Sequence, residues 1–204
     1  MIGIIDYGVA NLGSIQNMLQ KLGTASRLIS SPAELSSIDK IILPGVGSFD
    51  YGMAALTEKG WTQSLKEKVQ NDKVPILGIC LGMQLLCKGS EEGAAAEGLG
   101  FIDGYCVRFK ADDERKLRIP HMGWNEITYR GDNALIKNFN TQARFYFVHS
   151  YHMVCADPAD VLATAVHGDV FTAIVHRGNV WGTQFHPEKS HRFGMALLNN
   201  FARM

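Results

Sequence analysis

Two short stretches of this chain hold residues that could do chemistry together. In "LGICLG" (77–82), Cys80 lies between Gly78 and Gly82, where an apolar run ends and an amphipathic one begins. In "QFHPEKS" (184–190), His186 precedes Glu188 by two residues. Gly-x-nucleophile-x-Gly at a strand-to-helix turn is the pattern of a nucleophile elbow, whose small flanking residues let neighbouring backbone pass close by. At such a turn the positive end of the following helix favours a thiolate. The backbone N–H of Leu81 would be free to bind a negative oxygen. The plainer reading of Cys80 is a buried structural cysteine, as free Cys is among the most buried residue types. Cys87, Cys106 and Cys155 read that way, and the two-glycine frame sets Cys80 apart from them.

A thiol nucleophile needs a base, and the base needs an orienting group. Pro187 disfavours the helical conformation at His186, so His186 is expected to be extended. Two residues apart in an extended segment, His186 and Glu188 project to one side with Cα atoms about 6.5 Å apart. That spacing suits a Cys-His-Glu triad. Of the rival histidines, His149 and His152 lack a third metal ligand at a recognisable spacing. His121 sits in the unusual stretch "PHMGWN", and His167, His176 and His191 read as solvated turn or surface residues. "LPGVGSF" (43–49) puts glycines after a strand, which can signal phosphate binding. However, Asp50 stands where a dinucleotide fingerprint needs its third glycine, and no Gly-Lys-Ser/Thr follows. Either a simple tight turn or a second oxyanion donor from the Val46–Gly47 amides remains open.

The elements that must hold these residues alternate in the first half. Strands are predicted at Ile2 to Ile5, Ser26 to Ile29, Lys40 to Leu43 and Pro75 to Ile79. Helices are predicted near Leu12 to Leu22, Pro32 to Ser37, Tyr51 to Glu58, Trp61 to Gln70 and Leu81 to Cys87. Asn11 can cap the first of these helices and Gly23 can end it. Such alternation argues for a parallel sheet flanked by helices. The second half carries β-rich runs at Arg144 to Val148, Val161 to Val166, Phe171 to His176 and Val180 to Phe185. Hairpin corners fall at Gly168-Asp169 and Gly178-Asn179. Ser190 can cap a last helix running through Phe201. Glu91 to Gly100 reads as a mobile loop. The expected architecture is a single α/β domain over residues 1–204: an open, mixed, mainly parallel sheet flanked by helices, extended by antiparallel C-terminal strands.

Bulk properties narrow the function further. The 204 residues are 46% hydrophobic and 20% charged, with 20 basic and 20 acidic residues balancing to zero. This composition suits one soluble globular domain. With no long basic run, nucleic acid is not an expected partner. No apolar stretch approaches a membrane span, and the start does not read as a signal peptide. Four cysteines without C-x-x-C pairing point to free thiols in a reducing cytoplasm.

Taken in order, "DYGVANLGS" (6–14), "LPGVGSF" (43–49), "LGICLGMQLL" (77–86), "PHMGWN" (120–125), "FYFVHSY" (145–151) and "QFHPEKS" (184–190) resemble one family over the whole chain. It is similar to the class I (triad) glutamine amidotransferases, and within them to the HisH branch, the glutaminase subunits of imidazole glycerol phosphate synthase in histidine biosynthesis. The resemblance implies the flavodoxin-like glutaminase fold and a reaction in which Cys80 attacks the side-chain amide of L-glutamine. His186 would be the base, Glu188 its orienting group, and Leu81 with Val46 and Gly47 the oxyanion donors. Gln84, His149, Ser150 and Tyr151 would line the glutamine pocket. Trp124, Asn125 and Lys189 would lie near a partner, the cyclase subunit HisF, a (β/α)8 barrel forming a heterodimer with the glutaminase. No cofactor or metal is implied. Low activity alone and stimulation by the loaded cyclase are. Another class I glutaminase is the nearest rival reading. A non-catalytic, elbow-bearing regulatory protein is the rival from another class, and it would be expected to lack His-Pro-Glu.

Overall fold

The most continuously apolar runs of the sequence become buried strands at the centre of the molecule. The computed structural model describes residues 1–93, 96–111, 117–129, 131–139 and 142–204. Four strands, β1 (Ile2–Ile5), β2 (Ser26–Ile29), β3 (Lys40–Gly45) and β4 (Ile76–Cys80), lie parallel to one another. They are linked by α1 (Leu12–Lys21), a 3-10 turn at Pro32–Ser37, α2 (Phe49–Glu58) and α3 (Trp61–Lys66). The short α4 (Leu81–Leu85) follows β4 directly. Beyond it come β5 (Gly89–Ser90), β6 (Gly104–Arg108), β7 (His121–Glu126), β8 (Thr128–Tyr129), β9 (Arg144–His149) and β10 (Tyr151–Cys155). The chain closes with β11 (Val161–His167), β12 (Asp169–Arg177), β13 (Val180–Thr183) and α5 (His191–Arg203).

The main sheet has eight strands in the order β2-β1-β3-β4-β13-β12-β11-β8. β13 is its turning point, parallel to β4 on one side and antiparallel to β12 on the other. β1 and β4 are buried on both faces, as central parallel strands must be. Alternate residues of these strands feed two apolar layers. Ile5, Ile41, Leu43 and Ile76 pack with Phe49, Leu56, Trp61 and Leu65 of α2 and α3. Ile4, Ile42, Leu77 and Ile79 pack with Ile15 and Leu19 of α1 and with Leu197, Leu198 and Phe201 of α5. This is the period-2 alternation of a pleated strand.

The predicted parallel half and the two hairpin corners are present, with several corrections. β3 does not stop at Leu43 but continues through Pro44 and Gly45, which pair with Ile79 and Cys80. β1 pairs with β3 only as far as Ile42, so the N–H that Pro44 lacks leaves no gap in that ladder. Arg144 to Val148 does not extend the main sheet. It belongs to β9, which pairs with β7 in a separate two-stranded ribbon. Its inward Phe145 and Phe147 cover the Leu77–Ile79 layer instead. Strand Val180 to Phe185 ends at Thr183, and Phe185 turns into the core. Asn11 and Ser190 stand before α1 and α5 but cap neither through their side chains. Ser190 instead donates its hydroxyl to the His186 carbonyl and accepts the Tyr146 N–H. Residues 94 and 95 of the expected loop Glu91 to Gly100 lie outside the described residues. Around them, Glu91, Gly98 and Leu99 donate main-chain bonds to Cys106, Lys88 and Leu85.

The elbow depends on how closely β3, β4 and α4 approach one another. A Cβ on Gly82 would lie 1.8 Å from the Leu43 carbonyl oxygen, and one on Gly78 would lie 2.7 Å from the Gly82 oxygen and the Met83 nitrogen. Gly13, on the exposed face of α1, has nothing within 4 Å of the same position. Gly82→Ala is therefore expected to destabilise the fold by about 3 kcal/mol or more through overpacking against backbone. Gly13→Ala is expected to stabilise it by about 0.5–1 kcal/mol through helix propensity. Urea unfolding of the two variants checks the opposite signs.

Candidate active site

Where the carboxyl ends of β3, β4 and β13 converge, the chain brings its predicted chemical residues together. Cys80 closes β4 and opens α4 with φ +54° and ψ −112°, a conformation few non-glycine residues adopt. The strain fixes its side chain at the sheet edge. α4 has only five residues, so little more than one turn of helix dipole acts at Cys80, less than the longer predicted helix would supply.

His186 arrives from the segment after β13. Its φ of −98° and ψ of 100° are extended, as Pro187 requires. Pro187–Lys189 then form a 3-10 turn, not the extended continuation expected, with Pro187 at the first position where its missing N–H costs nothing. The turn still brings Glu188 Oε1 within 2.7 Å of His186 Nδ1, and both side chains are almost wholly buried. The His186 N–H donates to the Tyr146 carbonyl, and the His186 carbonyl accepts from the Ser190 hydroxyl, so backbone bonds on both sides hold the ring. Burial alone would push the His186 pKa down. Hydrogen bonds to Cys80 and to Glu188, with the negative charge of both, outweigh it and raise the pKa to about 9.

A cavity of about 350 Å³ opens over these groups. Val46, Gly47, Cys80, Leu81, Gln84, His149, Ser150, Tyr151, His186 and Lys189, all predicted site residues, line it. The Val46 N–H is spent on the Val9 carbonyl at 2.9 Å. Of the turn's two amides, this leaves Gly47, at φ +101°, beside the Leu81 N–H at the start of α4, where a helix has no internal acceptor. Three lining residues, Glu92, Pro120 and Val148, carry no role in the sequence reading. Glu92 accepts the Phe49 N–H at the start of α2, and burial raises its pKa against that bond, with Asp50 adding to the rise. An acidic residue in a solvated-looking "SEEG" gave no sign of this placement.

The predicted partner residues divide between two faces. Trp124 is 45% exposed and stacks on His191 beside Tyr146 and Arg144, while Lys189 sets its ammonium over the Tyr146 ring. Asn125, next along β7, turns the other way and donates to the Val166 carbonyl. Two histidines read as solvated are half-buried. His167 packs on Phe109 and His121, and His176 stacks on Trp181. Cys87 and Cys106 are buried with sulfurs 3.7 Å apart, in keeping with a structural reading. Among the described residues no group of three His, Cys, Asp or Glu could hold a metal ion. Nor is any described helix long and apolar enough to cross a membrane.

The arrangement can carry out nucleophilic attack by sulfur with proton transfer through imidazole, and known proteins share both its frame and its sequence. The family model for "Glutamine amidotransferase class-I" matches residues 3–204. A Methanococcus maripaludis protein named imidazole glycerol phosphate synthase subunit HisH 2 is 49% identical over 203 residues, covering 100% of this chain and 99% of its own. A Leptospira interrogans protein named imidazole glycerol phosphate synthase subunit HisH is 48% identical over 205 residues, covering 100% of both. Among solved structures, a putative GMP synthase protein from Thermoplasma acidophilum superposes with a TM-score of 0.75 over 99% of this chain and 92% of its own, at 18% identity. PurLQS from Thermotoga maritima gives a TM-score of 0.74 over 99% of this chain and 97% of its own, at 21% identity. At such identities the two structures bear on the fold alone.

Glu188→Gln removes the charge that helps hold His186 protonated. In the variant His186 is expected to titrate below the value of about 9, as read by 15N NMR of the imidazole. The sign for stability follows from the raised pKa. The favourable contribution is fully present below the unfolded value of about 6.5 and is lost as pH rises through about 9. The stability difference between parent and variant should therefore shrink over that window. A difference that widens, or an unmoved titration, would contradict the pairing.

Proposed function

Because the chain belongs to the class I glutamine amidotransferases, we propose that it is the glutaminase subunit of an imidazole glycerol phosphate synthase, acting in histidine biosynthesis. In this reading the Cys80 sulfur attacks the side-chain amide carbon of L-glutamine. His186 takes the thiol proton and delivers it to the departing nitrogen, so that ammonia leaves and a γ-glutamyl thioester remains. His186 then takes a proton from water, which attacks the thioester. Glutamate departs and the returned proton restores the thiol. Glu188 fixes the Nδ1 proton and stabilises the imidazolium. The Leu81 and Gly47 amides receive the oxyanion of both tetrahedral steps. The observation that carries the reading is the joint presence of Cys80, His186 and these amides around one cavity with His186 tied to Glu188.

Charge accounts for substrate orientation. Glu92 offers a carboxylate to the α-ammonium of glutamine, and Gln84, His149, Ser150 and Tyr151 form the opposite wall. Lys189 lines the same cavity and also touches Tyr146 on the Trp124 face, where Met122 is 63% exposed. That face is where the cyclase subunit HisF, a (β/α)8 barrel, would dock to receive ammonia and complete a heterodimer. Asn125 would act there through the backbone it braces. No cofactor enters this chemistry, and the four free thiols suit a cytoplasmic protein.

Ammonia release from glutamine, measured with and without the purified cyclase and its ligand, tests the proposal. Cys80→Ala should abolish release while cyclase binding persists, because only the nucleophile is lost. Retained hydrolysis would refute the role of Cys80, and copurification with a different synthase would refute the pathway. Glu188→Gln should lower kcat by about 10²-fold with little change in KM, because it perturbs the base and not the pocket. A raised KM at unchanged kcat would contradict that assignment.

A further inference from the structure

Gln184 is wholly buried two residues before His186, and neither step of the reaction uses it. Its backbone N–H is fixed by the Ala173 carbonyl, so the side chain leaves the segment just after β13 in a set direction. The carboxamide meets Gln84 at 3.1 Å on one end and the Cys80 sulfur at 3.9 Å on the other. Which end is which decides what the sulfur receives.

The orientation is forced by the partners. The Tyr151 main-chain carbonyl can only accept, and Gln84 reaches it at 3.0 Å, so the Gln84 amide nitrogen faces Tyr151. The other hydrogen of that nitrogen points at Gln184, which must present its oxygen. The Gln184 nitrogen is then left facing Cys80. The same carbonyl also accepts His149 Nδ1 at 2.8 Å. Burial drives the His149 pKa down to about 3, so the ring is neutral and its Nε2 accepts from His121 Nδ1 at 3.2 Å. His121 is neutral for the same reason, its pKa lowered to about 4 by burial and by His167, so its Nε2 accepts from Asn125. Every donor in this run has one direction.

We infer that Gln184 is a positioning residue that gives an N–H to the Cys80 sulfur, holding the sulfur toward His186 and tying it through Gln84 to the wall that receives glutamine. An N–H to a thiolate favours the charged form, and a buried carboxamide supplies it without a competing charge. Two titratable groups respond to Cys80: His186, from the segment after β13, and Tyr7, from the β1–α1 connection. Burial and the Cys80 charge raise the Tyr7 pKa, so Tyr7 is a neutral neighbour, and Gln184 is the uncharged donor.

Gln184→Met removes both bonds, and Gln184→Glu keeps the shape while replacing the donor by an acceptor. The rate at which iodoacetamide alkylates Cys80, followed across pH by mass spectrometry, reads the sulfur directly. At pH 7 the Met variant should be alkylated about tenfold more slowly, roughly the effect of one hydrogen bond to a charged group, and the Glu variant more slowly still. In both, higher pH should restore the rate, whereas a merely structural defect would alter reactivity without moving the profile. Profiles that overlay the parent's would overturn the inference. In case neither variant folds, the unmutated chain labelled with 15N-glutamine supplies a second reading. One side-chain amide signal should shift between the parent and Cys80→Ala and should follow pH only in the parent. If no such signal exists, the inference also fails. The inference rests on the reading of Cys80 as nucleophile, and the two failures are separable. Alkylation that leaves ammonia release intact would sink that reading. Loss of release on alkylation, with unmoved profiles in the variants, would sink this inference alone.

Discussion

The near-contact of Gly82 with the Leu43 carbonyl is the constraint on which the site rests. α4 can start directly from β4 only if its first turn lies against the end of β3, and no side chain fits between them. Accepting that approach commits Cys80 to a positive φ, which aims its side chain away from both strands and into the cavity. The same packing brings the Val46–Gly47 turn to the cavity that Cys80 and Leu81 line, so the proposed nucleophile and oxyanion donors share one backbone arrangement. The sheet's parallel order supplies the rest. β13 lies next to β4, so the residues after β13 emerge beside Cys80 although more than a hundred positions separate them in sequence.

What was legible in the sequence had local causes. The two glycines around Cys80, the proline that makes His186 extended and the apolar runs of the parallel strands each act within a few residues. The β7–β9 ribbon was not legible, because "PHMGWN" is neither strongly apolar nor regularly alternating. It forms a strand because β9 offers it a ladder and because His121 finds partners on the buried side. Gln184 was equally hidden. A glutamine inside "TQFHPEK" reads as polar chain near a site, and its burial depends on Gln84 and Tyr151 meeting it from distant segments. The half-burial of His167 and His176 was hidden for the same reason, since their aromatic partners come from other strands.

Family and fold carry different amounts of meaning here. Structures at 18% and 21% identity share the fold over nearly the whole chain, which shows that this frame tolerates wide change in sequence. The relatives near 48% identity align with the chain from end to end.

The Tyr151 carbonyl joins the elbow to the β7–β9 ribbon. It accepts one bond from Gln84, which leads through Gln184 to the sulfur, and one from His149, which leads through His121 to Asn125 and β11. A carbonyl has two lone pairs, and both are engaged, so the orientation of every side chain on either branch is determined from this one atom. Neutral histidines are essential to that order. A protonated His149 would have two donors and would break the bond from His121, which is why burial of the cluster and its lowered pKa values belong to the same design. The directed polar run is then a consequence of packing Phe109, Phe147 and Phe171 around the imidazoles. Their apolar surroundings keep the rings uncharged, and uncharged rings can only pass hydrogen bonds in one sense.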